Sequence, residues 1–150
     1  MRFYRRNLPH YDDGVSPVFV TFRTHGRWVL PPEARDVVLA HCVREHGVRV
    51  ELYCAVVMPD HVHLLFQQRE GHAVQAIMSS IKGASAHSVN RALGRRGRLW
   101  QDESYDRLLR NDEGLLKTAQ YICNNPLRAG LPADYRWIWR AWMDTRGSTP

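Results

Sequence analysis

Two histidines one residue apart, His61 and His63, and a tyrosine and an asparagine four apart, Tyr121 and Asn125, are the residues of this chain whose types and spacing could do chemistry. In an extended segment, alternate side chains leave the backbone on the same face about 7 Å apart. Two imidazoles at that spacing can close on a single metal ion. A pair of histidines that simply faces solvent has the same spacing, so the motif alone leaves both readings open. On a helix, residues four apart lie over one patch of surface, which puts the Tyr121 phenol beside the Asn125 carboxamide. A phenol ordinarily ionises near pH 10 and is a weak nucleophile at neutrality, but a metal on its target and a nearby positive charge both favour the phenolate. An amide oxygen suits a hard cation such as Mg²⁺ or Mn²⁺. The plain alternative makes Tyr121 a half-buried helix residue and Asn125 a cap before Pro126.

The elements that must carry these groups are legible as hydrophobic patterns. Val18, Val20 and Phe22 alternate with Phe19, Thr21 and Arg23, predicting a first strand. Pro32 opens a helix with Ala34, Val38 and Cys42 on one side, stopped by Gly47. From Val48 the period is two, with Val48, Val50, Leu52, Cys54, Val56 and Met58 expected on one face. After a Pro59-Asp60 turn, Val62, Leu64 and Phe66 form a second apolar row, with His61 and His63 on the other side of a hairpin strand. Val74, Ile77, Met78 and Ile81 mark a helix from about His72 to Leu93. A fourth strand is expected over 104–110, and a helix from Glu113 through Asn124 closed by Pro126. Strand, helix, strand, strand, helix, strand is the α+β, ferredoxin-like split βαβ order, an antiparallel sheet with helices on one face, here followed by an additional helix that carries Tyr121. The tail, with Trp137, Trp139 and Trp142, reads as a helical or irregular segment packed on the body, base stacking being the alternative.

Composition limits what the chemistry can be. The chain has 150 residues, a length that fits one domain over 1–150. No apolar run approaches the roughly 20 residues that cross a bilayer. The start shows no secretory h-region, so the cytoplasm is the expected compartment. Cys42, Cys54 and Cys123 lie in apolar segments without a C-x-x-C spacing and read as buried hydrophobes. A formal charge of +6, nearly all of it from arginine, points to a polyanion. An arginine-rich source proteome would give the same balance. Lys82, His87, Arg91, Arg95, Arg96 and Arg98 form a basic series along the second helix and the loop after it. They are the candidate nucleic-acid contacts, with a solvated helix face as the competing explanation.

Two longer stretches combine these features: Met58-Pro59-Asp60-His61-Val62-His63-Leu64-Leu65 and Tyr121-Ile122-Cys123-Asn124-Asn125-Pro126-Leu127-Arg128-Ala129-Gly130-Leu131. Together with Arg6-Asn7-Leu8-Pro9-His10-Tyr11, Phe19-Val20-Thr21-Phe22-Arg23 and Gly97-Arg98-Leu99-Trp100-Gln101, they resemble the single-tyrosine transposases of the HUH endonuclease superfamily, more closely the REP-associated tyrosine transposases. The resemblance runs from about residue 6 to 131 and leaves 132–150 as a tail. It implies a nuclease in which His61 and His63 hold a divalent metal, Mg²⁺ or Mn²⁺, and Tyr121 attacks DNA to form a 5′-phosphotyrosine link. The third ligand falls on Asn125, where related insertion-sequence enzymes often carry Gln. The implied substrate is single-stranded DNA near hairpin repeats. Both a monomer and a helix-exchanged homodimer occur in the superfamily. A hairpin-binding regulator of the same fold without required catalysis, and an H-x-H hydrolase that uses water, are the alternatives.

Overall fold

The computed structural model describes residues 13–110 and 114–142. The first elements are β1 (Val18–Thr24), a single 3-10 turn (His25–Arg27), α1 (Pro32–Val43), β2 (Val50–Val57) and β3 (His61–Gln68). They are followed by α2 (Val74–Leu93), β4 (Trp100–Leu108), α3 (Leu115–Cys123), the short α4 (Asn125–Arg128) and β5 (Ile138–Arg140). The sheet order is β4-β1-β3-β2-β5, and every pairing is antiparallel. The first four strands therefore have the split βαβ arrangement expected from the sequence, extended at one edge by a fifth strand. Among the described residues no helix is long and apolar enough to cross a membrane.

The sheet carries a core on each face. On one, α1 and α2 pack Ala34, Val38, Cys42, Ile77, Ile81 and Val89 onto Val20, Phe22, Val62, Leu64 and Phe66. On the other, α3 packs Ala119, Ile122 and Cys123 onto Cys54, Val56 and Leu65. Both faces are thus removed from water, the main term favouring the fold. All three cysteines are buried and unbridged, as their apolar settings predict.

β2 departs from the expected single apolar face. Its pairing with β3 steps from Leu52↔Phe66 to Cys54↔Leu65, so Tyr53 is an extra residue in a β-bulge. Val50 and Leu52 therefore join Ala55 and Val57 in the core under α1 and α2, whereas Cys54, Val56 and Met58 turn to the α3 side. Val48 precedes the strand and is exposed.

Other boundaries also differ. α1 ends at Val43, before Gly47, and β4 starts at Trp100, four residues ahead of the predicted Ser104. Trp100 is buried and its indole N–H donates to Ser85 Oγ at 3.0 Å, which seats the start of β4 on α2. α2 ends as expected at Gly94, whose left-handed backbone (φ 63°) turns the following Arg95 N–H back onto the Asn90 carbonyl at 2.8 Å. The tail is not merely irregular. Ile138–Arg140 pair with β2 as its outer neighbour, the Tyr135 hydroxyl donates to the Val57 carbonyl at 2.5 Å, and the Trp137 indole donates to Asp36 at 2.8 Å. Trp137 and Trp139 pack against the core, so packing is their role in the fold. The Arg6 to Tyr11 motif and the predicted helix start at Glu113 lie outside the described residues.

Candidate functional site

His61 and His63 leave β3 on the same face as Leu65, the side covered by α3, while Val62 and Leu64 enter the opposite core. Their rings are 4.8 Å apart between centroids and nearly perpendicular, at 82°. Each is oriented by a hydrogen bond at Nδ1. For His61 the partner is Asp60 Oδ1 at 2.8 Å, and for His63 it is Thr21 Oγ1 at 2.9 Å. Thr21 reaches His63 because the β1–β3 register places the two directly opposite. Asp60 is in turn fixed by Arg27, with Nη2 at 2.8 Å and Nε at 3.0 Å from Oδ2.

Electrostatics keep both imidazoles neutral. Burial is the largest influence on His63 and pushes its pKa down to about 3, helped by the positive fields of His61, Arg23 and Arg128. Burial also lowers His61, opposed by Asp60. Burial alone would raise the Asp60 carboxyl, but hydrogen bonds from His61 and Arg27 outweigh it and hold the group below its ordinary range. An ionised Asp60 can only accept, so His61 carries its proton on Nδ1 and leaves the Nε2 lone pair for a ligand. Thr21 can accept from His63 in the same sense. Imidazoles held by partners behind them are the usual form of a metal-binding pair. Among the described residues no three His, Cys, Asp or Glu side chains converge into a metal cluster, so the two imidazoles need an oxygen donor of another kind.

A buried neutral histidine makes stability depend on acid. The unfolded chain protonates His63 near its ordinary 6.5, the folded chain only near 3. Its contribution is therefore complete above about pH 6.5 and is lost as pH falls toward 3. The expected slope is up to about 1.4 kcal/mol per pH unit. Urea denaturation at pH 7, 6, 5 and 4 should show His63→Gln declining less steeply than the unsubstituted protein. Parallel curves would contradict the burial argument.

Tyr121 and Asn125 do not share one helix. α3 ends at Cys123, Asn124 breaks the path (φ −88°, ψ 0°), and α4 starts at Asn125. Pro126 contributes to the break, because it lacks the N–H that would bond the Ile122 carbonyl and continue the ladder of α3. Instead of closing one helix, Pro126 lies in the first turn of the next. Arg128 joins the two residues. Its guanidinium carbon is 3.8 Å from the centroid of the Tyr121 ring, and its Nη2 donates to Asn125 Oδ1 at 2.5 Å. The tyrosine segment meets the histidine strand through α3, whose Ala119 and Ile122 belong to the same core as Leu65 on the histidine face of β3. Tyr121 is 61% exposed, so its phenol is open to a large substrate.

The basic series divides. His87, Arg91, Arg96 and Arg98 are exposed, Arg98 pairing with Asp102. The Arg95 side chain is committed to the fold, with Nη1 on Asn90 Oδ1 at 2.8 Å, Nη2 on the Arg98 carbonyl at 3.0 Å and the guanidinium over Trp28 at 4.3 Å. The Lys82 ammonium donates to the Gln101 and Asp102 carbonyls at 2.7 and 3.1 Å, tying α2 to the start of β4. α2 itself lies across the sheet from the histidines, but the loop that follows it returns to their end of the sheet. His25 N–H bonds the Leu99 carbonyl at 2.7 Å, and the same 3-10 turn supplies Arg27 to Asp60.

Residues 32–125 match the family model described as "Transposase IS200 like". The chain belongs to the IS200-like transposase family. A Haemophilus influenzae protein assigned as a REP-associated tyrosine transposase is 29% identical over 90 residues, which is 53% of this chain and 51% of that protein. The chain thus aligns to about half the length of that relative. A solved REP-associated tyrosine transposase bound to a REP hairpin superposes with a TM-score of 0.72 at 22% identity, covering 100% of this chain and 89% of the other, and shares the fold of this family member. A Deinococcus radiodurans R1 crystal structure assigned as a transposase gives a TM-score of 0.51 at 25% identity, over 83% and 97%.

The sequence motifs did not single out Thr21, Asp60, Arg27 or Arg128. Thr21 and Arg27 are set by strand register and a turn contact, which only the fold reveals. Asp60 adjoins the first histidine, and Arg128 lies three residues after Asn125, so helical spacing could have marked it.

Proposed function

We propose that this IS200-like family member cleaves and rejoins single-stranded DNA beside hairpin repeats, with Tyr121 as the nucleophile that forms a 5′-phosphotyrosine link. The observation that carries this reading is the paired, neutral, Nδ1-anchored imidazoles of His61 and His63, on the face of β3 that is covered by the helix bearing the exposed Tyr121. His61 and His63 would hold a divalent cation, Mg²⁺ or Mn²⁺, with Asn125 as third ligand through the lone pair of Oδ1 that Arg128 leaves open. When bound, such a cation supplies Lewis-acid polarisation and orientation of the scissile phosphate.

The chain's own groups set the rest. Asp60 and Thr21 fix the two imidazoles, and the α3 core holds the base of the helix from which Tyr121 projects. The Tyr121 oxygen attacks phosphorus, the bond to the 3′-oxygen breaks, and the 3′-hydroxyl takes up a proton while the phenol gives one to solvent. Because the phosphodiester count is conserved, a 3′-hydroxyl can reverse the step or join another strand. The relative solved with a REP hairpin supports hairpin DNA as the substrate class. The formal charge of +6 is in keeping with it.

The test is a denaturing gel of end-labelled hairpin oligonucleotides with single-stranded flanks, incubated with Mn²⁺. A label that migrates with the protein supports the proposal. Free cleavage products would favour attack by water, and intact but shifted DNA in a native gel would favour a binding protein.

The exposed arginines in the last turn of α2 and the loop after it should steer the strand. Replacing both Arg91 and Arg96 by Gln should weaken oligonucleotide binding and reduce the slope of log affinity against log salt by about 1.4, at roughly 0.7 for each single-strand phosphate contact. Fluorescence anisotropy across a salt series reads this directly. An unaltered slope would remove these two side chains from the interface.

A further inference from the structure

Arg128 lies against both Tyr121 and Asn125, the two polar residues of the segment that carries the phenol. Its guanidinium stacks on the Tyr121 ring at 3.8 Å and spends one N–H on Asn125 Oδ1 at 2.5 Å. A guanidinium has five N–H donors in a planar fork that matches two phosphate oxygens. Stacked on the phenol and bound once to Asn125, it keeps further donors for a phosphate without leaving its seat. The side chain is exposed, so DNA can reach it. The α3 helix that carries Tyr121 packs Ala119 and Ile122 on the face of β3 that holds Leu65, two residues along from His63, so both halves of the site lie on one side of the sheet.

We propose that Arg128 is a catalytic residue whose guanidinium binds a non-bridging oxygen of the scissile phosphate and stabilises the charge that accumulates there as the Tyr121 oxygen attacks, an assignment that rests on Tyr121 being the nucleophile. In the step itself, the bond from the phenolic oxygen to phosphorus forms and the bond from phosphorus to the 3′-oxygen breaks. The phenolic proton leaves to water, and the departing oxygen takes one from water. Arg128 stays protonated throughout. The phosphoryl oxygens carry more negative charge midway than in the diester, so a fixed cation favours the transition state over the ground state. Lysine would preserve the charge and lose the fork.

The experiment measures single-turnover adduct formation on a hairpin oligonucleotide with an ordinary scissile phosphate. The same oligonucleotide is then used with each methylphosphonate diastereomer at that position, where one charged oxygen is replaced by methyl. Arg128→Ala should slow the phosphodiester reaction about 10²- to 10³-fold, the usual cost of losing one oxyanion donor. Oligonucleotide affinity should change far less. On one methylphosphonate diastereomer the two proteins should differ less than about tenfold, because the charge that Arg128 answers has been removed. Arg128→Lys should fall between, and free guanidinium should partly restore the Ala variant.

If the variant is slowed equally on all three substrates, Arg128 acts only through the fold and the assignment is overturned. If Arg128→Ala does not fold, the same substrate comparison is made with Arg128→Lys, for which equal slowing again overturns it. Absence of any adduct with the unsubstituted protein, or an adduct that survives Tyr121→Phe, would instead strike the nucleophile assignment, and this inference with it.

Discussion

Tyr121→Phe should abolish the covalent protein–DNA adduct, lowering its rate of formation by about 10³-fold or more, while oligonucleotide affinity and thermal stability stay nearly unchanged. The substitution deletes the oxygen that would attack and nothing else, and losing a nucleophile outright is among the largest single effects in enzyme kinetics. Tyr121 is 61% exposed, and its ring contact with Arg128 survives in phenylalanine. An exposed site of this kind changes stability by about 0.5 kcal/mol or less. The denaturing gel reads the adduct and a melting curve reads the fold. Undiminished adduct yield would hand the role to another phenol. Tyr105 is the next to examine, since burial and Glu51 push the Tyr53 hydroxyl further from ionisation.

Replacing His61 and His63 together by alanine should remove DNA cleavage and weaken Mn²⁺ binding at least about 100-fold, more than the 10- to 100-fold typical of disturbing the residues that orient metal ligands. The geometry makes the two rings one unit, 4.8 Å apart with each Nδ1 occupied behind it. Because both are held neutral, protons compete poorly with a cation for Nε2. Mn²⁺ affinity should therefore persist to pH values where ordinary histidine sites, with pKa near 6.5, have been lost. Titration calorimetry on the double variant and on the unsubstituted protein measures both quantities. Equal affinities would refute the ligand assignment. Stability should fall as well, since the Thr21 hydroxyl and the Asp60 carboxylate each lose a partner, at roughly 1–3 kcal/mol apiece where no water replaces it.

How far the sequence discloses this arrangement depends on whether the deciding interaction is local. β3 alternates without interruption, so the shared face of His61 and His63 follows from the period of two. The helical runs behind α1 and α2 are equally plain, and with the strands between them they reveal the βαβ frame. β2 misleads because the residue that resets its faces, Tyr53, is an ordinary strand former, and the bulge is visible only against β3. Ile138–Arg140 become a strand because β2 offers an unpaired edge to them, a circumstance three residues cannot announce. At Tyr121 and Asn125 the spacing suggests one helix, yet Pro126 argues locally for a break. Arg128 then restores by a side chain the proximity that the backbone gives up. Within the basic series, charge alone does not distinguish Lys82 and Arg95, which brace backbone carbonyls and a tryptophan, from Arg91 and Arg96, which face solvent.

The extra residue in β2 resets the phase of that strand part-way along. Upstream of Tyr53, Val50 and Leu52 face the paired helices; downstream, Ala55 and Val57 face them again while Cys54 and Val56 face the helix that bears the phenol. Excising Tyr53 would reverse inside and outside for one half of the strand, placing Val50 and Leu52, or else Cys54 and Val56, against the wrong layer. Substituting its side chain would leave that allocation intact. The spacing of the backbone here, more than the identity of the residue, decides which side chains of the strand meet each layer.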